Sequence, residues 1–300
     1  MIGFRASLPA CLALFVSQAV VAQQDFSKVE IKVTRVSGAV HMLEGAGGNI
    51  GVSAGPDGIL IVDDQFAPLA ERIRAALRGL GQGQLRFVLN THWHGDHTGG
   101  NQEFGREAPI IAHTNVRRRL ATTQTIFGKE VGPSPREALP VITFDDSLSV
   151  HFNGEEIRVL HLPPSHTDGD SVIFFTGSNV VHMGDNFFNG MFPFVDLDSG
   201  GDVEGMVRAV EEVLGKLPAE ARVIPGHGPL AGPSDLRSYL RMLRETTGIV
   251  RKRIAEGSDL EKVKAQGLPE EWASWGEGFI KTDQWLEIVY RSLSARPRKP

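Results

Sequence analysis

The sequence predicts an α/β fold, a sandwich of two β-sheets with helices on the outside. Short apolar runs of strand length alternate with amphipathic helical stretches, and the series strands, helix, strand, helix occurs twice along the chain. No linker separates the halves, and no solenoid period is present. With 300 residues, 41% of them hydrophobic, the chain has ample material for a sizeable core.

The elements follow in order. Glu30-Ile31-Lys32-Val33 alternates and predicts a strand. Ala39–Leu43 and Asn49–Val52 predict a hairpin with Gly45-Ala46-Gly47-Gly48 at its tip. Gly58–Asp64 reads as a buried strand ending in two carboxylates. Pro68–Leu80 predicts a helix, with Pro near its start, Leu69, Ile73, Ala76, Leu77 and Leu80 on one face, and Gly79 and Gly81 ending it. Leu85–Leu89 is the next strand, and Pro109–Ala112 a short one. His113 caps a basic helix, whereas residues 122–140, rich in Thr, Gly and Pro, read as a loop or irregular insertion. A strand series follows over Ser147–Phe152, Glu156–Leu162, Ser171–Phe175 and Asn179–Met183, with Asn153-Gly154 the strongest turn signal. Residues 186–202 form a loop rich in Phe, Gly and Asp. Val203–Leu217 is a helix, Ala221–Ile224 a strand, and Ser234–Leu293 mostly helical with a break near Gly267-Leu268-Pro269.

The first 22 residues are read apart from the fold. Arg5 precedes an apolar run, Leu8–Ala22, too short to span a bilayer, and Val20-Val21-Ala22 offers the small residues of a signal cleavage site. This predicts export to a periplasm or beyond the cell, with cleavage near Ala22. Residues 23–300 then form a single domain with C-terminal helices and no membrane anchor. Cys11 is the only cysteine, so the mature chain has no disulfide, thiolate nucleophile or Cys metal ligand. The formal charge is −5, and the densest basic cluster is Arg117-Arg118-Arg119, a solvated helix face rather than a nucleic-acid surface. The partner expected is a small-molecule substrate, with no nucleic acid; oligomeric state is not legible.

One stretch carries the chemistry: Asn90-Thr91-His92-Trp93-His94-Gly95-Asp96-His97. Its pattern H-x-H-x-D-H places four ligand-type residues within six positions at a strand end. In extended chain His92 and His94 share a face and can reach one ion. Asp96 and His97, on the following turn, can reach a second. Imidazole nitrogen and carboxylate oxygen are good zinc ligands. Three later residues repeat one arrangement, a ligand type just after a strand: His166, Asp185 and His227. With the first motif they complete two metal positions. His41, His151, His161 and His182, on or beside apolar strands, read as core or surface residues. Phe187, Phe188, Met191, Phe192 and Phe194 form an apolar cluster whose default role is packing.

The H-x-H-x-D-H motif, the isolated His in Pro164-Ser165-His166-Thr167, Gly184-Asp185 and Gly226-His227-Gly228 together resemble the metallo-β-lactamase fold superfamily of hydrolases. All of that superfamily's metal motifs are present in order over residues 63 to 227. The resemblance implies a four-layer αββα sandwich. It implies His92, His94 and His166 on one zinc, Asp96, His97 and His227 on the other, and Asp185 bridging both. Asp63 matches the non-ligand Asp that supports the histidine loop. The implied chemistry is hydrolysis by a hydroxide held between two Zn²⁺ ions, with iron or manganese as other candidate metals, and with Asp96 as its catalytic orienter and proton carrier. The residual positive charge favours substrates bearing a carboxylate.

Substrate is less specific, because this scaffold serves many reactions. Export favours a β-lactam, and the Gly45–Gly48 tip resembles the mobile flap of the β-lactamases. Against this, one β-lactamase subclass has Cys at the bridging position and a nearby Lys. Here the position is Asp185, which resembles glyoxalase II, lactonases and other general hydrolases, and Asn186-Phe187-Phe188-Asn189-Gly190 follows with no Lys. Asn186, Asn189, Lys129 and Trp93 are the candidate substrate contacts. The alternatives to a β-lactamase are a lactonase, a glyoxalase II-like thioester hydrolase and, more remotely, an iron-dependent sulfur or oxygen redox enzyme.

Overall fold

The computed structural model describes residues 25–295 apart from 82, 127 and 163, so the leader expected at 1–22 lies outside the described residues. The chain enters as an antiparallel meander of β1 (Lys32–Ser37), β2 (Val40–Glu44), β3 (Ile50–Gly55) and β4 (Gly58–Val62). Beyond β4 the connections lengthen and the strands run parallel, because a parallel return needs a crossover. The helix α1 (Ala70–Leu80) leads to β5 (Leu85–Leu89). Two single-turn helices, α2 (Gly95–Thr98) and α3 (Asn101–Phe104), lead to β6 (Ile110–His113). The helix α4 (Thr114–Leu120) and a separate hairpin of β7 (Gln124–Ile126) and β8 (Lys129–Val131) lead to β9 (Ile142–Phe144). The first sheet thus has the order β1-β2-β3-β4-β5-β6-β9.

The second sheet repeats the plan. Strands β10 (Ser147–Phe152), β11 (Glu155–His161), β12 (Ser171–Phe175) and β13 (Val180–His182) are antiparallel. The crossover helix α5 (Val203–Lys216) then sets β14 (Arg222–Ile224) parallel to β13. Three helices close the chain: α6 (Pro233–Ala255), α7 (Leu260–Gln266) and α8 (Thr282–Ser294). Among the described residues no helix is long and apolar enough to cross a membrane.

Side-chain alternation builds the layers. In β4, Leu60 and Val62 point between the sheets and pack with Ile173, Phe175 and Ile224 of the second sheet. Ile59 and Ile61 point the other way, onto Leu69 and, along α1, Ile73 and Leu77. In the second sheet Ile173 and Val180 face inward, while Val172 and Val181 meet Val210, Leu243 and Trp285 of the outer helices. Strands buried on both faces read as continuous apolar runs. The result is helix, sheet, sheet, helix, the αββα arrangement expected.

Several boundaries move. The first strand runs Lys32–Ser37 rather than from Glu30, its register set by pairing with β2, where Lys32 meets Glu44 at 2.8 Å. Pro68 lies in a 3₁₀ turn, Ala67–Leu69, ahead of α1, and Gly79 lies inside the helix, so only Gly81 marks its end. Residues 122–140 are not simply irregular: β7 and β8 pair across Gly128, whose φ of 70° suits glycine at a tight turn. The Asn153-Gly154 turn has φ of 49° and 82°, the paired positive angles of a tight hairpin. His113 caps α4 by accepting the Asn115 backbone N–H at 3.2 Å.

Candidate metal centre

Strands β4, β5, β13 and β14 end on one edge of the sandwich, and their following residues converge there, as is general for sites on parallel strands. The structure gathers the seven expected ligand residues into two adjoining groups. His92, His94, His166 and Asp185 form one, all buried; Asp96, His97 and His227 form the other, more open. In each group the ligand atoms lie within 4.8 Å of one another.

Asp185 lies between the two. Its Oδ2 is 3.4 Å from His166 Nε2 and 3.8 Å from His92 Nε2. Its Oδ1 is 3.0 Å from His97 Nε2 and 3.4 Å from His227 Nε2. Gly184, at φ 49°, makes the turn that delivers it, and Gly226 clears its oxygen: a Cβ there would stand 2.1 Å from Asp185 Oδ1. Asp96 Oδ2 lies 3.3 Å from His227 Nε2 and 3.7 Å from His97 Nε2.

The outer hydrogen bonds fix which nitrogen faces inward. His166 Nδ1 donates to the Phe194 carbonyl at 2.8 Å, leaving Nε2 as a bare acceptor. His94 Nε2 donates to Asp196 Oδ2 at 2.9 Å, leaving Nδ1 inward, 2.8 Å from His166 Nε2. His97 Nδ1 donates to Asp63 Oδ2 at 2.7 Å. Thr91 Oγ1 donates to Asp63 Oδ2 at 2.8 Å, so it accepts from His92 Nδ1 at 3.0 Å. Four ring nitrogens therefore point inward, three toward the first group and that of His97 toward the second. His92 Nε2 is buried there without a hydrogen-bond partner. Buried polar atoms without partners are costly. Divalent cations are the partners such imidazole and carboxylate donors fit. These residues would hold a divalent metal centre, and its outer partners are those that orient ligands generally.

Asp63 has φ 64°, a left-handed conformation that costs a non-glycine residue about 1–2 kcal/mol. It is held because Asp63 Oδ1 also accepts the Thr91 backbone N–H at 2.8 Å. Burial lowers His92, and His97 beside it lowers it further, well below the ordinary histidine range. Burial alone would lower His97, but Asp185, Asp96 and Asp63 outweigh it and raise it well above that range. Burial and the Asp185 and Asp96 carboxylates oppose each other at His227, which rises to about 9. Burial would raise Asp96, yet His97 and His227 hold it down at about 2.

Two outer residues escaped sequence reading. Asp196, buried and capping a 3₁₀ turn, holds His94. Asp170 anchors the His166 loop: Thr167 donates to it through N at 2.8 Å and Oγ1 at 2.6 Å. No local signal marks either; only the fold brings them within reach.

A cavity of about 570 Å³ opens over the two groups. Trp93 lines it, as does part of the aromatic cluster: Phe188, Met191 and Phe194. Phe187 and Phe192 turn away into the core under the outer helices. The other candidate substrate contacts lie elsewhere. Asn186 is buried, its Nδ2 donating to the Met183 carbonyl at 3.2 Å and its Oδ1 2.5 Å from Ser165 Oγ. Asn189 donates to the Pro229 carbonyl at 2.9 Å. Lys129 is exposed on the β7–β8 hairpin and does not line the cavity. The Gly45–Gly48 tip is bound down rather than free. Gly48 N donates to the Asp96 carbonyl at 3.0 Å, and Gln65 Nε2 donates to the Gly48 carbonyl at 2.8 Å.

The sandwich thus carries, at one edge, two adjoining groups of ligand-type side chains with one carboxylate between them. The family model of the metallo-beta-lactamase superfamily matches residues 44–239, and the chain belongs to that superfamily. A hydroxyacylglutathione hydrolase from Gloeobacter violaceus is 29% identical over 56% of this chain and 62% of its own length. A type 2 metallo-beta-lactamase from Bacteroides fragilis is 28% identical over 49% of this chain and 54% of its own length. The chain thus spans little more than half the length of these curated relatives. A metallo-beta-lactamase from Pontibacter korlensis shares the fold, with a TM-score of 0.60 over 72% of this chain and 99% of its own, at 18% identity.

Proposed function

We propose that this protein is an exported dinuclear zinc hydrolase that opens a small cyclic amide or ester, with a β-lactam as the first substrate to test. The observation that carries the reading is Asp185, whose two oxygens face two separate ligand groups on the floor of a cavity. Zinc is favoured by an all-nitrogen and oxygen donor set of histidine and aspartate. When bound, the ions supply Lewis-acid activation of water and of the scissile carbonyl. The protein's own part is positioning. Asp96, ionised at neutral pH and partly open to the cavity, orients the attacking water and carries a proton to the leaving nitrogen or oxygen. His92, His94 and His166 are locked by their outer partners, so the site needs little rearrangement. Trp93 and Phe188 give the cavity apolar walls beside the ligand residues. Two divalent ions against Asp96 and Asp185 leave the floor net positive, which favours a carboxylate beside the scissile bond.

Export rests on the leader read at residues 1–22, with residues 23–300 as the mature domain in a periplasm or medium. The 29% identical Gloeobacter hydrolase favours a second reading, a thioester hydrolase. A panel of penicillin, cephalosporin, carbapenem, acyl-homoserine lactone and glutathione thioester separates these. It is run on protein stripped of metal and restored with zinc, alongside Asp96→Asn. Zinc-dependent turnover of a β-lactam or lactone supports the proposal, and absence of metal-dependent turnover across the panel ends it. Stoichiometric iron with a visible absorbance band in protein taken from its own host would replace zinc hydrolysis with redox chemistry.

A further inference from the structure

We infer that the substrate carries an uncharged apolar acyl or aryl group beside the scissile bond and no charged group beyond the one the metals can meet. This rests on the hydrolase reading and narrows it. The cavity's charged and imidazole groups all belong to the metal floor: His94, Asp96, Asp185 and His227. Among the described residues, every other lining side chain is apolar or glycine, and no Lys or Arg lines the space. Beside Ala46, Phe66 and Trp93, three further chain segments build this wall. Ile126 and Val131 come from the β7–β8 hairpin, Phe188, Met191 and Phe194 from the loop after β13, and Phe279 from the stretch before α8. Val131 and Phe279 remain 42% and 68% exposed at the mouth, the setting of apolar surface that a ligand covers.

The volume, about 570 Å³, suits a drug-sized molecule. A carboxylate beside the scissile bond has the metals to face. A second charge further out has no counter-ion, and burying it unpaired is strongly unfavourable. This weighs against a multiply charged leaving group such as glutathione, with its ammonium and two carboxylates. An alkyl or aryl group meets only carbon.

The test uses two matched series on the zinc-loaded protein. Acyl-homoserine lactones from butanoyl to dodecanoyl vary alkyl length at a constant scissile bond. Penicillins with phenylacetyl and aminoadipoyl side chains vary charge at constant ring chemistry. Within whichever series is turned over, kcat/KM should rise, by up to about four-fold per methylene where the chain is buried. The phenylacetyl penicillin should exceed the aminoadipoyl one by roughly ten-fold or more. In Val131→Ser/Phe279→Ser the long-to-short ratio should fall several-fold. The same preference should appear without chemistry: calorimetry on metal-free protein with the hydrolysed phenylacetyl and aminoadipoyl penicillins should show tighter binding and a negative heat-capacity change for the first. Turnover with a flat series, or tighter binding of the aminoadipoyl product, overturns the inference and leaves the hydrolase reading standing. No turnover together with selective binding of the apolar product does the reverse.

Discussion

Replacing Gly48 by Ala tests whether the glycine-rich tip is a fixed wall of the metal site. An added Cβ would lie 2.1 Å from His97 Cε1 and 2.4 Å from its Nε2. Ordinary contact begins at 3.4 Å, so ring and backbone must part by 1.3 Å. Neither is free to give way. The tip is tied to Asp96 and Gln65, and the ring to Asp63 at 2.7 Å. A displacement of that size is a large fraction of a metal–nitrogen bond of about 2.0–2.1 Å. Affinity of the Asp96–His97–His227 position should drop about 10–100-fold, which is about 1.4–2.8 kcal/mol. Thermal stability should fall too, by the ~1–3 kcal/mol typical of an overpacked site. The assay is zinc titration against a chromophoric chelator, with circular dichroism to verify folding. Gly95→Ala is the control, since nothing lies within 4 Å of its added Cβ. If Gly48→Ala took up both ions at wild-type affinity, the tip would be a flap that swings clear, and the fixed-wall reasoning would be wrong.

Asp96→Asn should leave the circular dichroism unchanged and lower kcat by about 10²-fold or more, because an amide cannot accept the proton; kcat within a few-fold of wild type would remove Asp96 from the proton path. Asp196→Ala deletes the acceptor that holds His94 and should weaken the fully buried metal position about 10–100-fold while sparing the other. The reverse pattern in the titration would show that the two groups are assigned to the wrong ions. Metal loading at pH 7 should release protons, measurable as buffer-dependent heats. In metal-free protein His227, with its pKa near 9, is charged at pH 7, and as a ligand it must be neutral. Apparent affinity should therefore rise with pH up to about 9, and a pH-independent affinity would contradict the electrostatics described.

What the sequence made legible, and what it hid, divides by the range of the interaction. H-x-H-x-D-H is a local statement, since four ligands in six residues need only a strand end and one turn to converge. The continuous apolar run of β4 likewise announces burial on both faces. Asp196 announces nothing. It is one of three aspartates in residues 196–202, and what sets it apart is His94, distant by 102 positions. The same holds for Gly48. Its tip was visible as a turn, but the reason it must be glycine is the His97 ring pressed against it. The β7–β8 hairpin was obscured because its strands are short and exposed, so no buried alternation marks them. Yet Ile126 and Val131 reach the cavity from it. Candidate metal ligands are marked by chemical type, which a sequence displays; the residues that aim them, and those that line the cavity, are specified by position. In this chain the second kind are dispersed over residues 46 to 279, so substrate choice becomes an argument only once the fold is known.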